Sequence, residues 1–143
     1  MKKIDAVVFG SFETGLGVIR SLGIEGLKII NIDFKKDIAR YSRYTSIKAI
    51  CPHPLKREGA FINWVHKYFL NYTKKFPVFL TSDDFLEVFS RNRDVLSKYF
   101  LFNLSSRLLL EEISDKSRQM KLAEKVGVDV PKTIVLSNTK KMS

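Results

Sequence analysis

The chain has 143 residues, of which 45% are hydrophobic and 12% aromatic, a composition typical of a globular domain with its own core rather than of a disordered chain. It carries 25 basic and 15 acidic residues, but no lysine- or arginine-rich block and no zinc-finger spacing, so nucleic acid is not an expected partner. One cysteine and two histidines exclude an intrachain disulfide and a cysteine-based zinc site.

The formal net charge of +10 is unevenly distributed, because residues 1–75 hold 14 of the basic and 6 of the acidic side chains. Such a basic half attracts phosphates and other anionic partners. No apolar run approaches the roughly 20 residues of a membrane span. The N-terminal apolar stretch is too short for a signal peptide. We therefore expect a soluble, cytoplasmic protein with no membrane partner.

Two buried strands are predicted near the N-terminus. Residues 4–9 and 28–33 are apolar and rich in β-branched side chains, which favours strands covered on both faces. Between them, residues 15–22 form a helical pattern that Gly23 is predicted to end.

The rest of the chain continues to alternate strands and helices. Residues 46–51, 78–80 and 99–102 are predicted strands, and a wide apolar face at helical spacing predicts a helix over 61–72. A second helix is predicted from residue 85. Short helices are expected at 107–112 and at 116–126, where Gly127 ends the pattern, and an extended segment follows.

This order predicts an α/β fold: an open, doubly wound, mostly parallel sheet of five strands with helices on both faces. The favoured strand order is 3-2-1-4-5, in which ligands bind beyond the carboxyl ends of the strands, where the winding reverses. That point lies between the first and fourth strands. It would place Gly10 and Ser11 beside Thr81, Ser82 and Asp83.

The loop after the first strand, "GSFETGLG", has the spacing G-x-x-x-x-G-x-G. It fails the dinucleotide fingerprint G-x-G-x-x-G, although Asp33 ends the second strand as that motif requires. It also fails the P-loop pattern, because Leu16 stands where lysine is needed. Two compatible interpretations remain: Gly15 and Gly17 let the helix pack tightly, or backbone N–H groups at the helix N-terminus bind an anion.

The segment "TSDD" follows the fourth strand. Ser82, Asp83 or Asp84 is predicted to cap the next helix, and Asp84 with Glu87 has the spacing of a capping box. Capping explains one acidic residue but not two. The second interpretation is that a carboxylate here binds a substrate amine or hydroxyl at the point where the sheet winding reverses.

Other candidates are weaker. Arg40 and Arg43 lie near the end of the second strand. Their two guanidinium groups would bind a carboxylate or phosphate there, or they are ordinary surface arginines. His53 is interpreted as an exposed loop residue without a partner, and Cys51 as a small buried residue. No nucleophile–base pair and no metal-ligand set is recognisable, so no catalytic residue and no metal ligand is assigned.

Four segments taken together resemble the N-terminal domain of ATP-grasp ligases. They are "FGSFETGLGVIRSLG", "NIDFKKDIARYSRY", "LTSDDFLEVFSRNRDVLSKYF" and "SDKSRQMKLAEKVGVDVPKT". The last is the most specific, since in this family an Asp-Lys pair opens a helix that ends in glycine before a Pro-x-Thr strand. Residues 4–136 share the resemblance, which is greatest to carboxylate–amine ligases such as D-aspartate ligase-like proteins. Carbamoyl-phosphate synthase and biotin carboxylase are more distant relatives.

The resemblance implies a chemistry in which ATP phosphorylates a carboxylate and an amine then displaces phosphate from the acylphosphate. The cofactors implied are ATP and Mg²⁺, bound mostly outside this chain. The implied substrate is a small carboxylate or amino acid. Residues implied to contact it are Gly10, Ser11, Phe12, Glu13, Gly15, Arg40, Arg43, Thr81, Ser82, Asp83 and Asp84. Lys116 and Arg118 are implied to reach ATP.

The resemblance also implies a domain division. Residues 1–113 would form a Rossmann-like "pre-ATP-grasp" domain, 114–136 a helix and strand leading to the ATP-grasp domain, and 137–143 a frayed tail. The family's ATP-binding lysines, flap and Mg²⁺ carboxylates lie beyond Ser143, so we expect this chain to be inactive alone. Its partners would be the ATP-grasp domain and, through exposed apolar surface, a second copy. The alternative is a stand-alone Rossmann-like module that binds a nucleotide or acidic metabolite without catalysis.

Overall fold

A computed structural model describes residues 3–131 of the chain. It divides into two compact units, Met1–Leu104 and Ser105–Ser143, which are described separately. Residues 132–136 of the predicted final strand, with Lys132 and Thr133, and the predicted tail 137–143 lie outside the described residues. The functional boundary predicted after residue 113 stays a prediction.

The first unit is a five-stranded, all-parallel sheet in the order β3-β2-β1-β4-β5, so the predicted fold class and strand order are confirmed. The strands are β1 (Ala6–Phe9), β2 (Ile29–Asp33), β3 (Thr45–Ile50), β4 (Phe76–Leu80) and β5 (Phe100–Leu101). The helices are α1 (Glu13–Ile24), α2 (Glu58–Phe69), α3 (Asp83–Arg91) and α4 (Arg93–Leu96), with a 3-10 turn at Ile38–Tyr41.

Alternation along the central strand sends side chains to two separate cores. Val8 of β1 packs with Ile19 of α1 and Ala39 of the 3-10 turn. Val7 and Phe9 face the opposite core, which α2, α3 and α4 cover. Helices therefore flank both faces, as the alternation of strands and helices predicts.

Phe9 lies at the centre of the larger core. Four phenylalanine rings surround it, with ring centroids 5.1–6.1 Å from its own: Phe61, Phe85, Phe89 and Phe100. Full burial of each such ring stabilises the fold by about 1.5–3 kcal/mol, so this cluster attaches α2, α3 and β5 to the central strand.

Helix α1 differs from its prediction. It begins at Glu13 and continues through Gly23 to Ile24. The prediction that Gly23 ends the helix is wrong, because Gly26 is the residue with a left-handed backbone there, with φ of +79°. Gly23 instead lies against the Tyr44 side chain, which occupies the space that a β-carbon would need.

The second unit contains α5 (Arg107–Ser114) and α6 (Lys116–Lys125). The Asp115 side chain caps α6 by accepting a 2.9 Å hydrogen bond from the Arg118 N–H, and this bond lowers the pKa of that carboxyl. Gly127 ends the helical segment with φ of +81°, as predicted. In the described part of the chain, no helix is long and apolar enough to cross a membrane.

Candidate functional site

The carboxyl ends of β1 and β4 are tied together at the point where the sheet winding reverses. The Thr81 backbone N–H and hydroxyl both donate to the Phe9 carbonyl, at 2.9 and 2.8 Å. The chain then turns at Gly10, whose φ of +106° favours glycine and whose N–H donates to the Ile32 carbonyl at 2.9 Å. The structure therefore brings Gly10 and Thr81 together.

The glycines of this loop have different roles. A β-carbon on Gly15 would overlap the Gly10 carbonyl group, so Gly15 allows α1 to pack directly on the turn. Gly17 has no neighbour within 4 Å of that position, so the tight-packing interpretation holds for Gly15 and not for Gly17. Phe12 is the N-cap residue of α1, and its side chain makes no capping hydrogen bond. The first N–H groups of α1 are therefore not capped by that residue.

A buried polar cluster lies behind the glycine turn. The Ser11 hydroxyl donates to the Asn31 side-chain oxygen at 2.9 Å, and the Asn31 amide donates to the Gly10 carbonyl at 3.0 Å. Both residues are 2% exposed. Asn31 was missed from the sequence, although a single amide inside the apolar strand "KIINID" is the signal that would have found it, since buried polar groups need partners.

Asp33 belongs to the same region, and its side chain is not available to a dinucleotide ribose. It is 4% exposed, and burial raises the pKa of its carboxyl, while hydrogen bonds from the Phe34, Ser11 and Lys35 backbone act in the opposite direction. A dinucleotide site requires an acidic side chain free to bind a ribose hydroxyl. The Asp33 carboxylate is instead buried and hydrogen-bonded to the loops that follow β1 and β2.

The segment after β4 places one unusual hydroxyl at the start of α3. Ser82 is the N-cap residue of α3, yet its Oγ atom is buried and has no hydrogen-bond partner among the described residues. The predicted capping box of Asp84 with Glu87 is not formed, because α3 begins at Asp83 and Asp84 therefore lies inside the helix. Glu87 pairs instead with Arg91, one turn along the helix. Asp83 is exposed, while Asp84 lies 3.7 Å from the Nε2 atom of His53.

His53 is a second residue whose role the sequence did not reveal. Its Nδ1 atom accepts hydrogen bonds from the Leu55 and Lys56 N–H groups at 3.3 and 3.4 Å, so the neutral ring carries its proton on Nε2, facing Asp84. The imidazole ring stacks on the Phe34 ring, with 4.3 Å between the two ring centroids. The interpretation of His53 as an exposed residue without a partner is wrong, because its half-buried ring stacks on Phe34 and its Nε2 atom faces Asp84.

Cys51 follows β3 and is buried, as predicted. Its N–H donates to the Asp33 carbonyl at 2.9 Å. Burial, with a smaller contribution from the negative charge of Asp33, raises the pKa of the thiol to about 12. A thiol with that pKa is not a nucleophile near neutral pH.

The two candidate arginines lie in different segments of the connection between β2 and β3. Arg43 precedes β3, whose first residue pairs with the first residue of β2, so it lies at the opposite edge of the sheet from Gly10 and Thr81. Its guanidinium donates to the Tyr44 hydroxyl at 2.6 Å. Arg40 lies in the 3-10 turn, which is attached to the glycine loop by a 2.8 Å bond from the Ala39 N–H to the Ser11 carbonyl.

The remaining candidates are exposed. Phe12 is 58% exposed beside the glycine turn, with the Lys35 ammonium 5.9 Å from its ring centroid, and Glu13 opens α1 in solvent. Lys116 and Arg118 are exposed on α6, in the second unit, and their assignment to ATP stays a prediction.

No protein-family description matches the sequence, and no curated protein matches it. Solved structures do share the fold. The crystal structure of an L-amino acid ligase from Bacillus licheniformis superposes with a TM-score of 0.62 at 15% identity, over 92% of this chain and 32% of that chain. A biotin carboxylase domain of a single-chain bacterial carboxylase superposes with a TM-score of 0.56 at 16% identity, over 88% and 30%. The chain thus spans about a third of the length of either structure.

Proposed function

We propose that this chain is the N-terminal, substrate-side domain of an ATP-grasp ligase that activates a carboxylate as an acylphosphate and joins it to an amine. The observation that carries the proposal is the fold shared with an L-amino acid ligase and with a biotin carboxylase domain, over nearly all of this chain but a third of theirs. The four sequence segments that resemble ATP-grasp ligases support the same conclusion.

The geometry at the carboxyl edge of the sheet suits a small zwitterion. The first turn of α1 has no side-chain cap, so its N–H groups and helix dipole favour a substrate carboxylate. Across the junction of β1 and β4, Asp83 and Asp84 lie in the first turn of α3 and favour an ammonium group. We therefore assign an amino acid or another small carboxylate to this edge.

ATP would supply the activation of the carboxylate, with Mg²⁺ offsetting the charge of the phosphoryl group. The described residues include no group of three or more histidine, cysteine, aspartate or glutamate side chains that could hold a metal ion. In the proposal, Mg²⁺ and most of the ATP are held by an ATP-grasp domain outside this chain. Lys116 and Arg118 are assigned to the ATP phosphates as exposed cations at the start of α6.

The coding sequence downstream of Ser143 and an assay of phosphate release test this proposal. We expect an open frame that encodes an ATP-grasp domain, and ATP cleavage by the complete protein that depends on both a carboxylate and an amine. We expect none from the 143-residue chain. A stop codon directly after Ser143, together with saturable nucleotide binding and no turnover, would favour the stand-alone binding module instead.

Matched variants of the complete protein test the assignment of the substrate edge. Asp84→Asn should raise the KM for the amino acid assigned to this edge about tenfold or more, because a charge-assisted hydrogen bond to its ammonium group is lost. Asp94→Asn removes the same charge from an exposed position in α4 and is the control. Equal KM values for the two variants would remove Asp84 from the site.

A further inference from the structure

Strands β4 and β5 separate before they reach the carboxyl edge of the sheet. Their pairing joins Phe76 to Phe100 and Pro77 to Leu101, where β5 ends, while β4 continues to Leu80. A cavity of about 320 Å³ begins at this gap and is lined by residues 78–81 and by residues 102–104. It therefore lies beside the point where the sheet winding reverses.

The first turns of two helices complete the wall of the cavity. Thr14 in the first turn of α1 and Leu86 in the first turn of α3 both line it, and Val18 lines it one turn further along α1. The first turn of α1 is assigned to a substrate carboxylate, and the first turn of α3 holds Asp83 and Asp84, which are assigned to an ammonium group. The cavity thus adjoins the positions proposed for both charged groups of an amino acid.

The lining of the cavity is mainly apolar. Ten of the described residues line it, of which seven are apolar and none is charged. Among the polar ones, the Thr81 hydroxyl already donates to the Phe9 carbonyl at 2.8 Å. Phe79, whose ring lines the cavity, is 37% exposed, an unusual state for a large apolar residue of a central strand. A charged or amide group would lose its hydration here without a matching partner, so the cavity favours an apolar group.

The size and position of the cavity indicate what occupies it. Small-molecule sites have volumes of about 300–1,000 Å³, and this one lies at the lower end of that range. A protein partner usually covers about 800 Å² of surface, much more than a cavity for one side chain provides. A free amino acid carries its carboxylate, its ammonium group and its side chain on one carbon atom. If the two charged groups bind at the two helix starts, the side chain must therefore enter the cavity between them.

We propose that this cavity binds the side chain of a free amino-acid substrate and selects a large apolar side chain such as that of leucine. Val18 from α1 and Leu86 from α3 limit the size of the side chain that fits, so they are specificity-determining residues. The inference rests on the proposed function, which assigns an amino acid to this edge of the sheet, and it adds the class of side chain that this amino acid carries.

The experiment follows the methyl resonances of Val18, Leu86 and Leu104 in the nuclear magnetic resonance spectrum of the 143-residue chain during titration with single amino acids. L-Leucine should bind about tenfold to fiftyfold more tightly than L-alanine, because three further carbon atoms leave water. L-Asparagine has nearly the shape of leucine and should bind about tenfold or more weakly than L-leucine, because its amide loses hydration. N-Acetyl-L-leucinamide keeps the side chain but lacks both charges, and it should also bind about tenfold or more weakly than L-leucine.

A matched pair of variants tests the position of the side chain. Val18→Phe narrows the cavity and should weaken the binding of L-leucine about tenfold or more while leaving that of L-alanine unchanged. Leu22→Phe is the control, since Leu22 packs against the same apolar cluster one turn along α1 but lies outside the ten described residues that line the cavity. Circular dichroism checks that both variants are folded, and the ligand series on the wild type needs no variant.

Four results would each overturn the proposal. They are no response of the three methyl groups to L-leucine, equal affinities for L-leucine and L-asparagine, equal affinities for L-leucine and N-acetyl-L-leucinamide, and equal effects of the two folded variants. The third result would indicate a side chain of a polypeptide in place of a free amino acid. Failure of the proposed function is distinguishable, because it appears as absent ATP cleavage by the complete protein and leaves the binding of L-leucine to this chain unaffected.

Discussion

The carbonyl carbon of Gly10 lies 2.9 Å from the position that a β-carbon would take on Gly15, and its oxygen lies closer still. No real β-carbon tolerates such an approach to backbone. The contact joins the turn after β1 to the first turn of α1, so it sets how closely the helix N-terminus approaches the carboxyl edge of the sheet. The glycine spacing of this loop thus reflects helix packing, and it does not form a nucleotide fingerprint.

Substitution of the two helical glycines should have opposite effects on stability. Gly15→Ala should destabilise the fold by about 1–3 kcal/mol, because the new methyl group meets backbone that cannot rotate away. Gly17→Ala is the matched control, two residues further along the same helix. The space around Gly17 is open, so this change should stabilise the fold by up to about 1 kcal/mol. Urea unfolding of both variants measures the difference, and equal stabilities would contradict the packing role of Gly15.

The buried carboxyl of Asp33 should make stability depend on pH. Burial raises the pKa of Asp33 in the folded protein above the ordinary value of 3.8. At pH values between the ordinary pKa and the raised one, the folded protein therefore binds more protons than the unfolded chain. Stability from this group is therefore lost as pH rises through that window. Asp33→Asn removes the titration, so its stability relative to wild type should be most favourable at neutral pH and should decline on acidification.

The measurement for Asp33 is the free energy of unfolding in urea at several pH values, with the exposed Asp94→Asn variant as the control for loss of one charge. A relative stability of Asp33→Asn that rises on acidification would show that hydrogen bonds to the carboxylate outweigh its burial.

The imidazole of His53 should carry its proton on Nε2. In mildly alkaline solution, two-bond nitrogen–proton correlations in the nuclear magnetic resonance spectrum distinguish the tautomers, and the only other ring to assign is that of His66. Since the Leu55 and Lys56 N–H groups set the tautomer, Asp84→Asn should leave it unchanged. A proton on Nδ1 in the wild type would exclude the turn geometry that orients His53 toward Asp84.

The thiol of Cys51 should be unreactive in the folded protein. With its pKa raised to about 12 and its side chain buried, almost no thiolate is available near neutral pH. Ellman's reagent should label it only after unfolding in urea. Asp33→Asn should not restore reactivity, because burial is the larger cause of the shift. Rapid labelling of the native protein would show that this part of the core opens.

The fold class, the strand order and most elements could be predicted because hydrophobic periodicity and right-handed connections depend on local sequence and general rules. The error at Gly23 has a physical cause. Glycine is a common helix terminator, but Gly23 lies within α1, where the Tyr44 side chain occupies the space that a β-carbon would need. Tyr44 lies 21 residues away, and local pattern carries no information about such a contact.

The site was only partly predictable for the same reason. Gly10, Ser11 and Thr81 could be placed together from the topology, because the ends of parallel strands must meet at one edge. The pairing of His53 with Asp84 and the burial of Asp33 depend on atomic distances across different loops. The same holds for the Ser82 hydroxyl, which has no partner within residues 3–131. Whether these residues bind substrate stays a prediction for the complete protein.

By itself the sequence determined an α/β chain with its alternating elements and its excess of basic residues, since these follow from composition and periodicity. Only the tertiary structure decided which part of the fold carries those basic residues. Lysines that are scattered along the chain are collected at one edge, because every parallel strand begins on the same side of the sheet. The same rule gathers Gly10, Thr81 and Asp84 at the other edge, and this is why one domain presents a basic row and a separate polar site.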